Sequence, residues 1–533
     1  MLRGGIVVIA LILTATSSFT QVHPSARIYS LGAEHVSGII PDLYTDLTVN
    51  PAYACLADRL TINYERKGML GFAPVFPFLN QWPTYYYTDS YYSNEISFYG
   101  IGLSSWRAAL FAQWRVGLSE YTRSRFDLWD GYRRAIQRHE WDSEDNDFGR
   151  IDIMAARPIG DTYALGFRLQ GWGFYKSESF ARIDVANSYY NTAYLELSDN
   201  SKEQDALSSL GRRLAFDFQT GIVKKSAGEP QTDLVLQASL HPIDYRDESY
   251  DLSILREYDI EQHLTDYSYS RDVWSDARKG DLWMFGLALR HAFPRGIRIY
   301  AGGSLSTATY DAVWSESGEY YGWGDYSSSD RMLTGNFDCR GSLRGASCFI
   351  KGGRMFNLHR MLDLHLGLHA AVERKHAKES PTVHYSYAIQ DGDSIRIDQP
   401  ASLEYTGTTA DVYLPISIEF RPSSYVSFFS GFTLFAGWFK HVTVQPMPSL
   451  FSYNRPYATY SKAGPHRAGT SSGEFIYPGT SVTDYDREWT SDSTVTLGFS
   501  LHYRDRFFID VYSHAEIIPR YLSDSMLDIR YVF

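Results

Sequence analysis

The segment Tyr163-Ala164-Leu165-Gly166-Phe167-Arg168-Leu169-Gln170 decides the fold. Large apolar side chains occupy every second position, and small or polar side chains lie between them. A period of two places these sets on opposite faces of a β-strand. One face is therefore predicted to be apolar, and the other to carry Arg168 and Gln170.

The same pattern recurs along residues 60–533, in segments of about ten residues joined alternately by short turns and long polar stretches. Stretches such as 119–148 and 176–211 are predicted to be long extracellular loops. We count sixteen strands, with fourteen as the alternative. Alternating short and long connections are typical of an all-β transmembrane antiparallel β-barrel, whereas a soluble sandwich or propeller would not require them. The short turns are predicted at 104–107, 158–161, 294–296, 357–360, 421–424 and 504–506.

The N-terminus predicts export. Arg3 precedes an apolar run over 6–13, and small and hydroxylated residues follow through Thr20. Residues 1–20 are therefore predicted to be a cleavable signal peptide, and the chain to reside in the bacterial outer membrane. Membrane lipid and the barrel assembly machinery are the expected partners. A net charge of −12 argues against nucleic-acid binding.

The cysteines predict neither a disulfide framework nor a metal site. Cys55, Cys339 and Cys348 are few for a secreted chain, and none has His or Cys neighbours at zinc-site spacing. We expect no metal and no cofactor.

The polar face of the strands is predicted to line the lumen of the barrel. Charges of both signs occur there, which predicts either internal ion pairs or a weakly selective pore. The predicted lumen-facing residues are Arg115, Arg168, Asp217, Gln219, Arg298, Asp363, His365, His369, Asp411, Glu419, Asp510 and Arg530.

Large apolar residues alternate up to the C-terminal aromatic, and this pattern resembles the C-terminal strand signature of outer-membrane proteins. By this resemblance Tyr531 and Phe533 form the predicted assembly signal. The alternative is an edge strand of a soluble sheet, which would usually carry protective charges.

Residues 21–59 contain Ser30-Leu31-Gly32-Ala33 and a later segment that ends in Asn50-Pro51-Ala52. This region resembles the N-terminus of the long-chain fatty-acid transporter family. The resemblance implies a hatch or plug inside the barrel that includes Asn50, Pro51 and Ala52. Our count of sixteen strands exceeds the number typical of that family. The alternative is that Asn50-Pro51 is a turn that starts the first strand.

Three functions remain open. The first is passive, porin-like uptake of small hydrophobic or amphiphilic molecules, which the hatch resemblance and the width of the barrel favour. The second is a surface receptor or structural barrel that acts through Tyr85–Tyr87, Tyr91–Tyr92 and Tyr320–Trp323. The third is a barrel enzyme using His139, Glu140 and residues 142–147. Because no nucleophile elbow, zinc motif or phosphate loop accompanies them, we expect no enzymatic activity.

Overall fold

The computed structural model describes residues 25–32, 35–68, 84–129, 133–192, 195–226, 229–258, 264–324, 327–389, 394–400, 402–446, 481–504, 506–515 and 525–533. The predicted signal peptide lies outside these ranges. Within them, no helix combines the length and the apolar character needed to cross a membrane.

Eighteen strand segments form one antiparallel sheet. They are β1 (Thr61–Gly68), β2 (Thr84–Leu103), β3 (Trp106–Trp129), β4 (Arg133–Ile159), β5 (Tyr163–Thr192), β6 (Leu195–Ser226), β7 (Glu229–Tyr258), β8 (Leu264–Ala292), β9 (Ile297–Gly324), β10 (Ser327–His359), β11 (Leu362–Glu379), β12 (Thr382–Ile389), β13 (Ser394–Pro400), β14 (Leu403–Phe420), β15 (Val426–Pro446), β16 (Ser481–Tyr503), β17 (Phe507–Ala515) and β18 (Ser525–Val532).

The eighteen segments make up sixteen barrel strands. Glu379 of β11 pairs with Leu403 of β14, and three residues further on Thr382 of β12 pairs with Pro400 of β13. The register is therefore unbroken, and β12 and β13 extend β11 and β14 beyond an interruption. Pro381 lies in that interruption and has no backbone N–H for the ladder. The predicted count of sixteen is confirmed.

The sheet closes on itself. Thr61 of β1 pairs with Val532 of β18, and the backbone N–H of Phe533 donates to the carbonyl of Leu60 over 3.0 Å. Pairing of the last strand with the first leaves no free edge along this seam.

The two faces of the wall differ as a membrane barrel requires. On β4 the outward-facing Ile151 and Ile153 are 56% and 55% exposed, whereas Arg150 and Asp152 between them are 2% and 0% exposed. Outward apolar side chains recur on β8, β11 and β14. A closed barrel with this apolar outer surface is built for a lipid bilayer, and the chain is an outer-membrane β-barrel.

The prediction of long loops at 119–148 and 176–211 is wrong. In the structure β3 runs to Trp129, β4 starts at Arg133, and β5 and β6 continue to Thr192 and from Leu195. The 32 residues of β6 rise roughly 80 Å at a tilt of about 40°, far more than an apolar band of about 25 Å. Beyond the bilayer neither face of a strand needs to be apolar, so the sequence there has no period of two.

Residues 25–32 and 35–57 form what we call the inner segment. It contains helix α1 (Ala26–Ser30), helix α2 (Leu43–Val49) and a 3₁₀ helix (Pro51–Leu56). Ser25 and Asp42 cap the two α-helices, accepting bonds from the N–H groups of Ile28 and Thr45. Asn50 caps the 3₁₀ helix, which starts with Pro51. Asn50-Pro51 thus begins a helix within the inner segment, and β1 begins only at Thr61.

Candidate functional site

The inner segment lies inside the barrel. Its residues contact strands around the whole ring: Tyr44 donates to Glu95 on β2, Arg168 on β5 donates to the carbonyl of Thr48, and Thr496 on β16 donates to that of Ser30. Only an object within a closed ring can reach all of its sides. Many contacts lie near the ends of strands that the short turns join, so the inner segment fills the half of the lumen near those turns.

Arg290, near the end of β8, makes the densest contact between the inner segment and the wall. Its guanidinium pairs with Asp46 of α2 and, over 2.6 Å, with Asp233 of β7. It also lies 4.7 Å from the ring centre of Tyr53. All four side chains are buried, so removing the cation would leave two carboxylates without a counter-charge in a dry site.

Arg168 joins the inner segment to β5, three strands along the wall from Arg290. It donates to the Thr48 carbonyl over 2.9 Å, to Gln219 over 3.3 Å and to Asp152. Asp152 also pairs with Arg150 over 2.8 Å. The carbonyl of Thr48 belongs to α2, so Arg168 satisfies an acceptor near the helix C-terminus, where cations are favoured.

A third polar contact lies near the end of β14. Arg27 of α1 pairs with Glu419 over 2.8 Å, and Arg421 pairs with the same carboxylate over 3.1 Å and with Asp363. His365 lies 3.9 Å from Glu419. Asp363, His365 and Glu419, all predicted to face the lumen, therefore meet in one cluster beside the inner segment.

Two glycines allow the 3₁₀ helix to approach the wall. A Cβ built on Gly166 of β5 would lie 2.2 Å from the backbone nitrogen of Ala52 and 2.4 Å from the carbonyl carbon of Pro51. A Cβ on Gly221 of β6 would overlap the Asn50 side chain. The predicted hatch residues Asn50, Pro51 and Ala52 are thus buried against the backbone of two glycines. A larger side chain at either glycine would prevent this close approach.

His369 of β11 meets His35 of the inner segment. Their Nδ1 atoms lie 3.2 Å apart, and the His35 ring stacks on Tyr413 of β14 with 3.8 Å between centroids. His369 also stacks on Tyr413, at 5.2 Å, and faces the edge of Phe349. Tyr413 thus packs on both imidazoles, and Phe349 packs on His369.

A cavity of about 90 Å³ separates part of the inner segment from the wall. Ile39, Ile40 and Pro41 line it on one side, and Gly353 and Pro415 on the other. Arg298 also borders this cavity. The inner segment therefore does not fill all the space here, although Ile39 packs closely on Gly353.

The other predicted lumen residues make contacts within the wall. Asp217 pairs with His241 over 3.0 Å and accepts from Trp172. Asp510 accepts from Ser500 and lies 3.5 Å from Arg530. Asp411 is half-buried. Most of these charges thus have opposite charges beside them, whereas the side chain of Arg115 lies outside the part of the chain that the structure describes.

An apolar patch, which we call the upper patch, covers the inner wall beyond the inner segment. Tyr300 packs on Gly38 of the inner segment, and Tyr310, on the same face of β9, lies ten residues further from the turn at 294–296. A barrel lumen is ordinarily polar, so an apolar lining is a specific feature of this chain. The patch comprises Ile243, Leu282, Met284, Ala308, Tyr310, Ala312, Phe337, Leu343, Ala377, Val383 and Tyr405.

One ion-pair cluster borders the upper patch. Arg278 of β8 pairs with Asp276 of its own strand and with Glu379 of β11 over 2.8 Å. All three side chains are buried. Both of its acidic partners belong to the wall, whereas one partner of Arg290, Asp46, belongs to the inner segment.

A pair of carboxylates further along the wall predicts a dependence of stability on pH. Glu316 and Asp272 face inward on β9 and β8, and Glu316 lies roughly 45 Å above the turn, outside the bilayer. Burial raises the pKa of Glu316 to about 7, and repulsion by Asp272 adds to the shift. Burial also raises the pKa of Asp272.

A raised carboxyl pKa means that the folded state binds the proton more tightly than the unfolded chain. The stabilisation is fully present below about pH 4.5 and is lost as the pH rises through about 7. We expect Glu316→Gln to stabilise the barrel at pH 8 by on the order of 2 kcal/mol and to have little effect at pH 4. Thermal unfolding at both values measures this, and Glu319→Gln, on the exposed face of β9, is the control. Equal shifts at both pH values would contradict the prediction.

Other candidates from the sequence do not join this site. Tyr320 and Tyr321 lie high on β9, where the ring of Tyr321 is 5.8 Å from that of Tyr267. The side chains of Tyr85–Tyr87, Tyr91–Tyr92 and Trp323, and those of His139, Glu140 and residues 142–147, lie outside the described part of the chain.

Sequence reasoning missed several contacts of the inner segment, namely those of Arg290, Asp46, Glu95, Asp152 and His35. Arg290 and Asp152 lie on strand faces whose period of two was visible, and that period could have identified them. For Asp46 and His35, which lie in the N-terminal segment, the sequence contained no comparable signal.

No family model and no curated protein matches the sequence. Solved structures with similarity include the toluene transporter TbuX of Ralstonia pickettii, which is 8% identical, with 97% of this chain and 100% of that chain covered and a TM-score of 0.32. The toluene transporter TodX of P. putida is 11% identical, with 96% and 99% covered and a TM-score of 0.32. The ferric enterobactin receptor PfeA of Pseudomonas aeruginosa, a mutant, is 8% identical, with 89% and 80% covered and a TM-score of 0.27. Because these TM-scores are low, we assign the fold from the strand pairing of this chain itself.

Proposed function

We propose that this barrel is a passive channel for small hydrophobic or amphiphilic molecules and that the inner segment is its plug. The observation that carries the proposal is the position of the inner segment, which crosses the lumen and is bonded to the wall on opposite sides. A barrel of sixteen strands is otherwise wide enough for an aqueous lumen. The N-terminal resemblance to the long-chain fatty-acid transporter family supports the same function for Asn50, Pro51 and Ala52.

The upper patch supports a hydrophobic passenger. Its inward-facing Leu282, Tyr310, Leu343 and Tyr405 pack in a buried apolar cluster, and we propose that a passenger parts them and then contacts them on the way from the outer mouth to the plug. Transfer of an apolar molecule from water to such a surface is favourable by a free energy of roughly 25 cal/mol per Å² of apolar area buried. A hydrated ion or a sugar has no comparable favourable transfer. The polar cluster around Arg278 lies beside the patch and suits the polar end of an amphiphile.

A reversible disulfide between plug and wall tests the proposal. A Cβ built on Gly353 lies 3.5 Å from the Cβ of Ile39, within the range that a disulfide requires. We expect Ile39→Cys/Gly353→Cys, in a background with Cys55, Cys339 and Cys348 replaced by alanine, to block uptake when oxidised. The reason is that the plug can then no longer leave the wall. Uptake of an apolar dye into proteoliposomes, measured before and after reduction with dithiothreitol, gives the readout.

The two single-cysteine variants are the controls, since neither forms the bond and both should transport under oxidising conditions. Formation of the disulfide is checked by mass. A fully formed disulfide with unchanged dye uptake would show that passage does not require the plug to move here. A receptor that acts through its upper strands would give that result, with ligand binding unaffected by the bond.

A further inference from the structure

His35 and His369 pack against aromatic rings, and their Nδ1 atoms also face each other. Packing alone does not require these nitrogens to face each other. Two nitrogens of the same type, Nδ1 of each ring, face each other over 3.2 Å. One residue belongs to the plug and the other to β11, and 334 positions separate them in sequence. As a hydrogen bond, the contact needs one ring to donate and the other to accept, so it exists only when the tautomers are complementary.

The same separation suits two ligands of one metal ion. Zinc lies about 2.0–2.1 Å from a histidine nitrogen, and two such ligands at a tetrahedral angle are about 3.3–3.4 Å apart. The observed 3.2 Å is within 0.2 Å of this value, the tolerance expected of a real site. Neutral imidazole is a preferred ligand of zinc, copper and nickel.

Neighbouring aromatic rings pack against the two imidazoles. Tyr413 stacks against both imidazoles, at 3.8 Å and 5.2 Å between centroids, and the edge of Phe349 faces His369. Among the described residues, no third histidine, cysteine or carboxylate completes a larger cluster, so water would fill the remaining positions of a tetrahedral ion. The ammonium of Lys351, nearby on β10, lies over the rings of Phe349 and Tyr300.

We propose that His35 and His369 bind a divalent transition-metal ion of the zinc class and that the ion fastens the plug to the wall. The ion replaces the hydrogen bond between the rings by two coordinate bonds from the facing nitrogens, and any proton on those nitrogens is released to solvent. Binding itself is independent of the proposed transport, but its effect on passage rests on the plug function.

Metal binding is tested on the full-length mature protein without a histidine tag. Isothermal titration with Zn²⁺ is expected to give one ion per chain, and Co²⁺ to give the visible absorption bands of nitrogen coordination. His35→Gln and His369→Gln should each weaken binding by more than about tenfold, because loss of even an outer-shell partner costs about 10–100-fold. His376→Gln is the matched control, since His376 lies on the same strand but is 40% exposed at its side chain and bonds to Thr406.

The outcomes separate the two proposals. Absence of zinc binding by the unaltered protein, or equal binding by His35→Gln, His369→Gln and His376→Gln, would overturn the metal site. Binding that depends on His35 and His369 and that also lowers dye uptake supports both the site and the plug. Binding with the same dependence but unchanged uptake supports the metal site and counts against the plug function.

Discussion

Arg290→Met is expected to convert the plugged barrel into an open pore. The substitution removes the cation that pairs with Asp46 of the plug and Asp233 of the wall, and it leaves two buried carboxylates facing each other. Breaking a buried pair by removing one partner costs about 3–5 kcal/mol. If that cost falls on the docked state of the plug, the ratio of open to closed molecules rises roughly 10²- to 10⁴-fold. Planar-bilayer conductance of the refolded protein measures the change.

Arg278→Met is the control for this experiment. Arg278 lies on the same strand as Arg290 and also pairs with two buried carboxylates, Asp276 and Glu379, but both belong to the wall. Its replacement should lower thermal stability and leave conductance low. A second variant, Arg290→Met with Asp46→Asn and Asp233→Asn, removes the uncompensated charges and should recover part of the closed state. Equal conductance of Arg290→Met and Arg278→Met would show that Arg290 does not hold the plug.

Gly166→Val is expected to displace the 3₁₀ helix of the plug from its contact with β5. A Cβ at this position would lie 2.2 Å from the nitrogen of Ala52, which is backbone and has no rotamer to change. The clash must be relieved by moving the helix, since residue 166 is held in the ladder between β4 and β6. We expect conductance to rise at least about tenfold and residues 50–56 to become protease-sensitive, because opening a docked segment exposes its backbone.

Gly171→Val is the matched substitution on the same strand. A Cβ at Gly171 would meet only the Phe216 ring, at an ordinary 3.7 Å, so this valine should leave the plug docked. Both variants replace a glycine of β5 by valine, but Gly171 lies beside the outward-facing Phe216, so its valine does not meet Ala52. If both variants remain closed and protease-resistant, the close approach at Gly166 is not needed for docking.

The barrel was predictable because the alternation of side chains is set by local geometry. The segment around Tyr163 shows its two faces within eight residues, and the turn near Gly160 follows from a short polar interruption. The same rule failed above the bilayer. Strands β4 to β6 continue there with polar residues on both faces, and a pattern of that kind is indistinguishable from a loop.

The site was only partly predictable. Arg168, Asp363 and Glu419 could be assigned to the polar face from parity alone, but their partners in the N-terminal segment could not. Contacts such as Arg27 with Glu419 join residues that are 392 positions apart, and local sequence carries no signal of such a pairing. The need for a glycine at position 166 is likewise evident only from the structure, in which the backbone of Ala52 approaches it.

The bond from Thr496 to the Ser30 carbonyl joins residues that are 466 positions apart, the two being near opposite ends of the chain. Contacts of such long range are slow to form, since the entropy of closing a very large loop must be overcome first. The N-terminal helix is made first yet acquires its full set of neighbours only when β14 to β18 are in position. Docking of this helix is therefore a late event in folding, and protection of the Ser30 region from hydrogen exchange reports that the ring has been completed.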